Sequence, residues 1–463
     1  MVITRFAPSP TGELHVGSVR TALYAYLYAK RHKGQFILRI EDTDRERSTQ
    51  AAVDIIVQGL DWLGIKPDQP PIYQTQRLSR YHEVANELLN AGYAYRCYIS
   101  KSDLDLMREE QMKRGEKPRY NRHSRDMNLP HTDKPYVIRF KNPLSGQVSF
   151  IDEVLGKIII DNSELDDFIL MRSDGLPTYN FAVVVDDADM QISHVIRGND
   201  HLNNTVRQIN VYKALGLSIP SFAHIPMIAG EDGKKLSKRH GAVSVLYYKE
   251  HGYLPQALIN YLVRLGWSYG DQEIFSITEL EQNFNLDSVS KSSAIFNIEK
   301  LNWLNQHYIK TLPWSELEPH LSVMYDSAKV DISNGPELAK VVAAYRERVT
   351  TIVDLVEQTE CYFLSTINYD KHVWEKYITS ESKPILKFLA EQLAAINDWQ
   401  STVLNTCIKQ VVSDLKLKFP QLAQPLRVIL TGSAQSPGID VTLALTGQVR
   451  TLERINRALA YFD

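Results

Sequence analysis

Residues 1–44 read MVITRFAPSPTGELHVGSVRTALYAYLYAKRHKGQFILRIEDTD, and this stretch decides the fold. Val2–Phe6 is a short β-prone run that ends at the loop Ala7-Pro8-Ser9-Pro10-Thr11-Gly12. A helical stretch follows, roughly His15 to His32, with Ala22, Leu23, Tyr26 and Leu27 on one face. It closes on Lys30, Arg31 and Lys33, with Gly34 placed to end it. Phe36–Ile40 is a buried-type strand running straight into Glu41, Asp42 and Asp44, and Ser48 is placed to cap a further helix that stops near Gly64. Strand–helix–strand–helix spacing of this kind predicts a parallel, doubly wound α/β sheet.

Outward from this core the alternation lapses from about Tyr93 to Phe150. It resumes with a strand near Ile192–Ile196, a helix from about Asn199 to Gly216 and a strand near Phe222–Ile228. A nucleotide-binding fold split by an insertion is therefore expected. From Pro255 onward the pattern is mostly helical. Apolar stripes run through Ala257–Leu265, Pro336–Phe363 and Pro384–Ile396, with a short strand-like run at Arg427–Leu430.

Composition limits the alternatives. A chain of 463 residues exceeds one core, and 44% hydrophobic with 23% charged residues excludes a largely disordered or fibrous protein. No apolar stretch reaches the ~20 residues a bilayer span needs, and no signal peptide is visible. Three widely spaced cysteines build no disulfide framework, so a soluble cytoplasmic protein with no membrane partner is expected. The net charge of −3 says little about partners, but Arg96–Lys141 carries twelve Lys/Arg against seven Asp/Glu, a net +5. That basic window reads either as a solvated face or as a surface for phosphates.

Open α/β sheets bind ligands beyond the carboxyl ends of their strands. After the first strand, Leu14-His15-Val16-Gly17 opens a helix, where backbone N–H groups can hold phosphate and His15 can donate to it. Neither GxGxxG nor GxxxxGK[ST] is present, which argues against dinucleotide and P-loop enzymes. The loop Gly230 to Arg239 packs Lys234, Lys235, Lys238 and Arg239 between glycines, and suits closure over a polyphosphate, although a plain solvated turn has the same composition.

The pair HVGS and KLSKR, some 220 residues apart, resembles the HIGH and KMSKS motifs of class I aminoacyl-tRNA synthetases. TRFAPSPTGELHVG, LRIEDTDRER, LPTYNFAVVVDD, HVIRGND and DGKKLSKRHGAVSV look like the bacterial glutamyl-tRNA synthetases, over essentially the whole chain. Ser18 stands where the second His of HIGH would be. The resemblance implies a Rossmann-like catalytic domain with an α+β insertion, followed by mostly α-helical anticodon-binding modules. It implies segments at 1–92 and 191–241 (catalytic halves), 93–190 (acceptor-binding insertion), 242–315 (stem contact), and 316–372 and 373–463 (anticodon modules). The implied reaction uses ATP with Mg2+ to convert L-glutamate to glutamyl-adenylate, then transfers the acyl group to the terminal adenosine of tRNA(Glu). A monomer is the family expectation.

The resemblance also implies roles. His15, Lys235 and Lys238 are expected to be catalytic, with Lys238 the principal phosphate contact. Ser9, His15, Gly17, Ser18, Lys235, Leu236, Ser237, Lys238 and Arg239 are expected around ATP. Arg5, Ala7, Ser9, Glu41, Tyr179 and Arg197 are expected around glutamate, with Arg5 and Tyr179 on its side chain, Arg197 on its α-carboxylate and Glu41 on its ammonium. Arginine suits bidentate carboxylate pairing. The competing reading is an Arg5–Glu41 structural salt bridge with Tyr179 as a core aromatic. Arg346 and Arg348, read as helical, match the segment that reads the last anticodon base and resemble the discriminating form. The alternatives there are a salt-bridged surface helix, and an enzyme that also or instead charges tRNA(Gln). Structural zinc, found in some relatives, is not expected, because Cys97 and His123 are accompanied by Ile99 where a ligand would stand. Cys97 then reads as a half-buried thiol.

Glu41, APSPTG and the helical C-terminal end favour the glutamate enzymes over the glutamine ones, which carry a shorter acid and a β-barrel module. A metabolite nucleotidyltransferase would not need the C-terminal helices, a shorter tRNA-modifying relative lacks them, and a retired paralogue has no reason to keep the whole site.

Overall fold

The computed structural model of the chain describes every residue except Arg45, Asn128, Lys235, those numbered 237–243, and 462–463. The chain divides into two units, Met1–Tyr247 with Ile259–Ile298, and Tyr248–Leu258 with Glu299–Asp463.

In the first unit the strands are β1 (Ile3–Phe6), β2 (Gln35–Ile40), β3 (Ile72–Tyr73), β4 (Ala94–Cys97), β5 (Val137–Phe140), β6 (Gln147–Asp152), β7 (Gly156–Asp161), β8 (Ile169–Met171), β9 (His194–Gly198) and β10 (Ser221–Ile225), with a short pair β11 (Ile228–Ala229) and β12 (Ala294–Ile295). The main sheet runs β3-β2-β1-β9-β10-β6-β7. Its pairings are parallel apart from the β6–β7 hairpin. Helices α1 (Val16–Arg31), α2 (Gln50–Trp62), α3 (Leu78–Asn90), α4 (Lys101–Lys113), α5 (Tyr179–Asp189) and α6 (Leu202–Ala214) lie between strands. All of β1 and nearly all of β2 are buried, as strands covered on both faces must be. Each buried Ile or Leu there contributes ~1.5–3 kcal/mol. Chain order runs outward from β1 to β3 on one side and from β9 to β10 on the other. The topological switch point therefore falls between β1 and β9, where such sheets bind ligands.

The doubly wound reading thus holds, with local differences. Thr49, not Ser48, caps α2, accepting from the Ala52 N–H at 3.2 Å. The strand placed near Ile192–Ile196 lies at His194–Gly198, and the helix after it opens with a 3-10 turn, Asn199–His201. Within the basic insertion, β4, β5 and β8 form a separate antiparallel sheet. The hairpin β6–β7 instead extends the main sheet, where Asp152 pairs with Phe222 of β10. Cys97 is fully buried rather than half-buried, at 1% exposure, because its thiol packs against Tyr120 and donates to that hydroxyl at 3.5 Å. His123 is exposed.

The second unit is helical. The run Arg427–Leu430 is not a strand but the end of helix Phe419–Thr431. An apolar triplet with two β-branched residues reads as a strand in isolation, yet here Val428, Ile429 and Leu430 are buried in a cluster with Leu386, Leu404 and Leu443. The stripe Pro336–Phe363 breaks into Leu338–Tyr345 and Ile352–Thr359, the second opened by a Thr351–Asp354 capping box. No helix among the described residues is long and apolar enough to cross a membrane.

Candidate active site

A cleft of about 690 Å3 lies at the switch point. The first loop is fixed above the end of β2 by the Glu41 N–H, which donates to the Pro8 carbonyl at 2.9 Å. His15 then caps α1, accepting from the Gly17 N–H on Nδ1 at 3.1 Å. That bond assigns the neutral ring's proton to Nε2, the donor a phosphate oxygen requires. Leu236 is tied to β11 through its N–H and the Ile228 carbonyl at 3.0 Å. The preceding turn closes between the Gly230 N–H and the Lys234 carbonyl at 2.8 Å, with Gly233 at φ +73°. A left-handed φ there favours glycine.

Every described residue expected around ATP or glutamate lines this cleft. Ser9, His15, Gly17, Ser18 and Leu236 lie there together with Arg5, Ala7, Glu41, Tyr179 and Arg197. Lys235, Ser237, Lys238 and Arg239 lie outside the described residues. A second cavity of about 360 Å3 shares Ser9, Glu41 and Tyr179, and adds Thr43, Asp44, Arg47 and Arg172.

The ionic partners are not those of the competing reading, an Arg5–Glu41 salt bridge. Arg5 forks onto Asp187, Nε to Oδ1 at 3.2 Å and Nη2 to Oδ2 at 3.4 Å. Arg39 binds the same Asp187 at 2.6 Å and Glu41 at 3.4 Å. Burial alone would raise Asp187, but the charges and hydrogen bonds of Arg39 and Arg5 outweigh it and hold the carboxyl low. Glu41 has less help. Burial dominates and pushes its carboxyl from 4.5 up to about 7, against the opposing pull of Arg39 and Arg5.

Arg197 is 5% exposed and has no carboxylate within ion-pair distance among the described residues. Its hydrogen bonds go to neutral groups: Tyr179 Oη at 3.3 Å, Thr205 Oγ1 at 2.6 Å, Gln208 Oε1 at 2.8 Å and His224 Nε2 at 3.3 Å. Burial lowers its pKa. A cation so placed is costly unless an anion joins it. Tyr179 is half-buried rather than a core aromatic, and its hydroxyl also meets His201 Nδ1 at 3.1 Å. Burial, aided by the Arg197 charge, drives His201 down to about 4, so this imidazole is neutral at physiological pH.

Sequence reasoning missed Asp187, Arg39 and His201. Asp187 closes an apolar helix 182 residues from Arg5, and only strand adjacency unites them. His201 carried a weak signal, following Arg197 across the end of the same strand.

In the second unit, helix Leu338–Tyr345 ends before Arg346 and Arg348, which occupy the following turn instead of the helix. Arg346 donates to the Leu312 carbonyl at 3.1 Å and the exposed Arg348 to the Ser436 carbonyl at 3.0 Å. Neither forms an ion pair among the described residues, so the salt-bridged surface helix is not what is found.

Residues 1–303 match tRNA synthetases class I (E and Q), catalytic domain, and residues 311–459 match the anticodon binding domain family. The chain is 54% identical over 458 residues to a glutamate–tRNA ligase of Legionella pneumophila strain Corby, covering 99% of this chain and 97% of that protein. The crystal structure of a glutamate tRNA ligase from Elizabethkingia meningosepticum, in complex with its amino acid, superposes with a TM-score of 0.86 at 33% identity over 100% of both chains. A glutamate–tRNA synthetase from Elizabethkingia anophelis superposes with a TM-score of 0.82 at 33% identity over 99% of both. With both family matches and these whole-length relatives, the chain belongs to the class I tRNA synthetases of the glutamate and glutamine type, within their glutamate–tRNA ligases.

Proposed function

We propose that the protein activates L-glutamate with ATP and transfers it to the terminal adenosine of tRNA(Glu), using the cleft at the switch point for both steps. In the first step a glutamate α-carboxylate oxygen attacks the α-phosphorus and pyrophosphate leaves. In the second the terminal 2′-hydroxyl attacks the acyl carbon and AMP leaves. The phosphoryl step needs positioning and positive charge more than a protein base. His15 serves the phosphates from the helix N-terminus, with Lys235 and Lys238 adding positive charge to them, and Ser9, Gly17, Ser18, Leu236, Ser237 and Arg239 completing the ATP site. Arg5, Tyr179 and Arg197 take the two carboxylates of glutamate, Glu41 takes the ammonium, and Ala7 and Ser9 border them.

The observation that carries this reading is Arg197, a buried guanidinium with only neutral partners, in the cleft that also holds the His15 cap. Mg2+ is proposed to arrive on the triphosphate. Glu41 and Asp187 are committed to arginines, and the described residues hold no cluster of three or more His, Cys, Asp or Glu suited to a metal. Arg346 and Arg348, bonded among the described residues to carbonyls alone, are proposed to read an anticodon base. The basic insertion is proposed to touch the acceptor stem, within the six-segment division given above, and the family expectation of a cytoplasmic monomer is carried over. Glutamate-dependent ATP–pyrophosphate exchange tests the proposal, with exchange expected only when tRNA(Glu) is present. Exchange driven by glutamine in preference to glutamate would refute it.

A further inference from the structure

Behind the cleft lies a buried polar chain that the reaction does not touch. His224 of β10 is in register with Arg197 of β9, so both side chains rise from the same face of adjacent parallel strands. Asp152, at the end of β6, is 1% exposed and His224 is fully buried. His224 Nδ1 lies 2.6 Å from Asp152 Oδ2. On its other side, Nε2 is 2.8 Å from Thr205 Oγ1 and 3.3 Å from Arg197 Nε. None of Asp152, His224 or Thr205 lines the cleft.

The hydrogen-bond directions are determined by this set. The Asp152 carboxylate also accepts from the backbone N–H groups of Val154 at 3.0 Å, Leu155 at 2.8 Å and His224 at 3.2 Å. Such an acceptor-only group requires the Nδ1 proton on His224. Nε2 is then a lone pair that faces the Arg197 Nε–H and accepts from the Thr205 hydroxyl at 2.8 Å, a shorter contact than the 3.4 Å from that hydroxyl to the His201 carbonyl. Thr205, having donated its proton, accepts from Arg197 Nη2 at 2.6 Å. Gln208 takes the other Nη2 hydrogen at 2.8 Å and Tyr179 one of those on Nη1 at 3.3 Å. Among the described residues, one of the five guanidinium N–H groups, on Nη1 beside Tyr179 at the cleft wall, is left uncommitted, while the Nε–H shares the Nε2 lone pair with the Thr205 hydroxyl. The imidazole also stacks on Phe222, with centroids 6.2 Å apart at 13°, which limits its rotation.

We propose that His224, oriented by Asp152, is a positioning residue whose Nε2 lone pair, directly and through Thr205, locks the Arg197 guanidinium with its free N–H directed at the glutamate carboxylate. A protonated imidazole would reverse this, presenting an N–H to the Arg197 N–H and a second cation beside it. Asp152 faces the ring from β6, Arg197 from β9, and Arg5 acts from β1 at longer range. Burial lowers the His224 pKa more than Asp152 raises it, so the neutral form is the resident one. The inference rests on the reading of Arg197 as a glutamate ligand.

Asn and Gln divide the imidazole between them. In His224→Asn the amide stands near Nδ1 and serves Asp152 but leaves Arg197 and Thr205 without an acceptor; in His224→Gln it reaches the Nε2 position. Full-length variants are assayed by tRNA charging for the KM of glutamate and, separately, of ATP. His224→Asn is expected to raise the glutamate KM about tenfold or more, the worth of a hydrogen bond to a charged group, while the ATP KM stays near wild type. His224→Gln should recover to within a few-fold, and near-isosteric Thr205→Val, which removes only the bridging hydroxyl, should behave like His224→Asn. Arg197→Lys is the control. If it leaves the glutamate KM unchanged, the pocket reading fails and this inference with it. If Arg197→Lys is impaired while the Asn and Gln variants match each other and Thr205→Val matches wild type, the positioning role alone is overturned.

Discussion

Replacing Glu41 by Gln should stabilise the ligand-free protein in alkali and not in acid, while weakening its hold on glutamate. The carboxyl moves from an ordinary 4.5 to about 7 on folding, with burial the dominant cause. For an acid whose folded pKa is raised, the stability it contributes is fully present below the unfolded value and is lost as pH climbs through the folded one. At pH 5 Glu41 is protonated in the fold and costs little. At pH 8.5 it is ionised at 6% exposure, and the shift corresponds to about 3 kcal/mol. Gln has nearly the same shape and does not titrate. The difference in melting temperature between variant and wild type, followed by calorimetry from pH 5 to pH 8.5, isolates Glu41 because every other titrating group cancels. The gap should widen in favour of Glu41→Gln by ~5 °C in the transition of the nucleotide-fold unit. The opposite holds for function. An ammonium ligand would restore the charge Glu41 lacks, so the variant's glutamate KM should rise tenfold or more, the worth of a charge-assisted hydrogen bond. A melting-temperature gap that stays constant with pH would show that Glu41 titrates normally and would refute the electrostatic reasoning.

Lys238→Ala should lose adenylate formation, read as pyrophosphate exchange, while filter binding shows tRNA affinity unchanged; normal exchange would remove Lys238 from the phosphate site. Arg348→Ala is expected to lower charging of purified tRNA(Glu) and to narrow its margin over tRNA(Gln), because an exposed guanidinium whose bond among the described residues is to the Ser436 carbonyl has little structural work to lose. Equal charging margins in wild type and variant would count against an anticodon role. Elemental analysis of purified protein should find no stoichiometric zinc, since the Cys97 thiol is enclosed with Tyr120; one equivalent would overturn this.

The sheet was readable because β1, α1 and β2 each carry an undiluted local signal: a short apolar run, a capped amphipathic stretch, and a strand ending in acids. The C-terminal unit was harder to read for the converse reason. Val428–Leu430 has strand-like composition, and only burial on every side by surrounding helices makes it helical. The site was half readable. Arg5, Glu41 and Arg197 could be placed at strand ends, but not their partners. Asp187 is 182 residues from Arg5, and His224 is 72 from Asp152. Such pairings are created by strand order, and strand order is not written in any local pattern.

Those partners change what the cleft is. Asp187 is shared by Arg5 and Arg39, Glu41 is raised to about 7, and among the described residues Arg197 hydrogen-bonds neutral groups alone. Without a ligand, the pocket therefore holds an unmatched guanidinium and a carboxyl driven toward its neutral form. Each condition is unfavourable, and each is relieved by a different part of one molecule. A carboxylate supplies the anion Arg197 lacks, and an ammonium supplies the cation that lets Glu41 ionise. A ligand bearing only one of those charges relieves only one fault. The imbalance of the empty pocket thus favours a zwitterion, its α-carboxylate on Arg197 and its ammonium on Glu41 under the proposed assignment, and choice of an acidic side chain would rest instead on Arg5 and Tyr179.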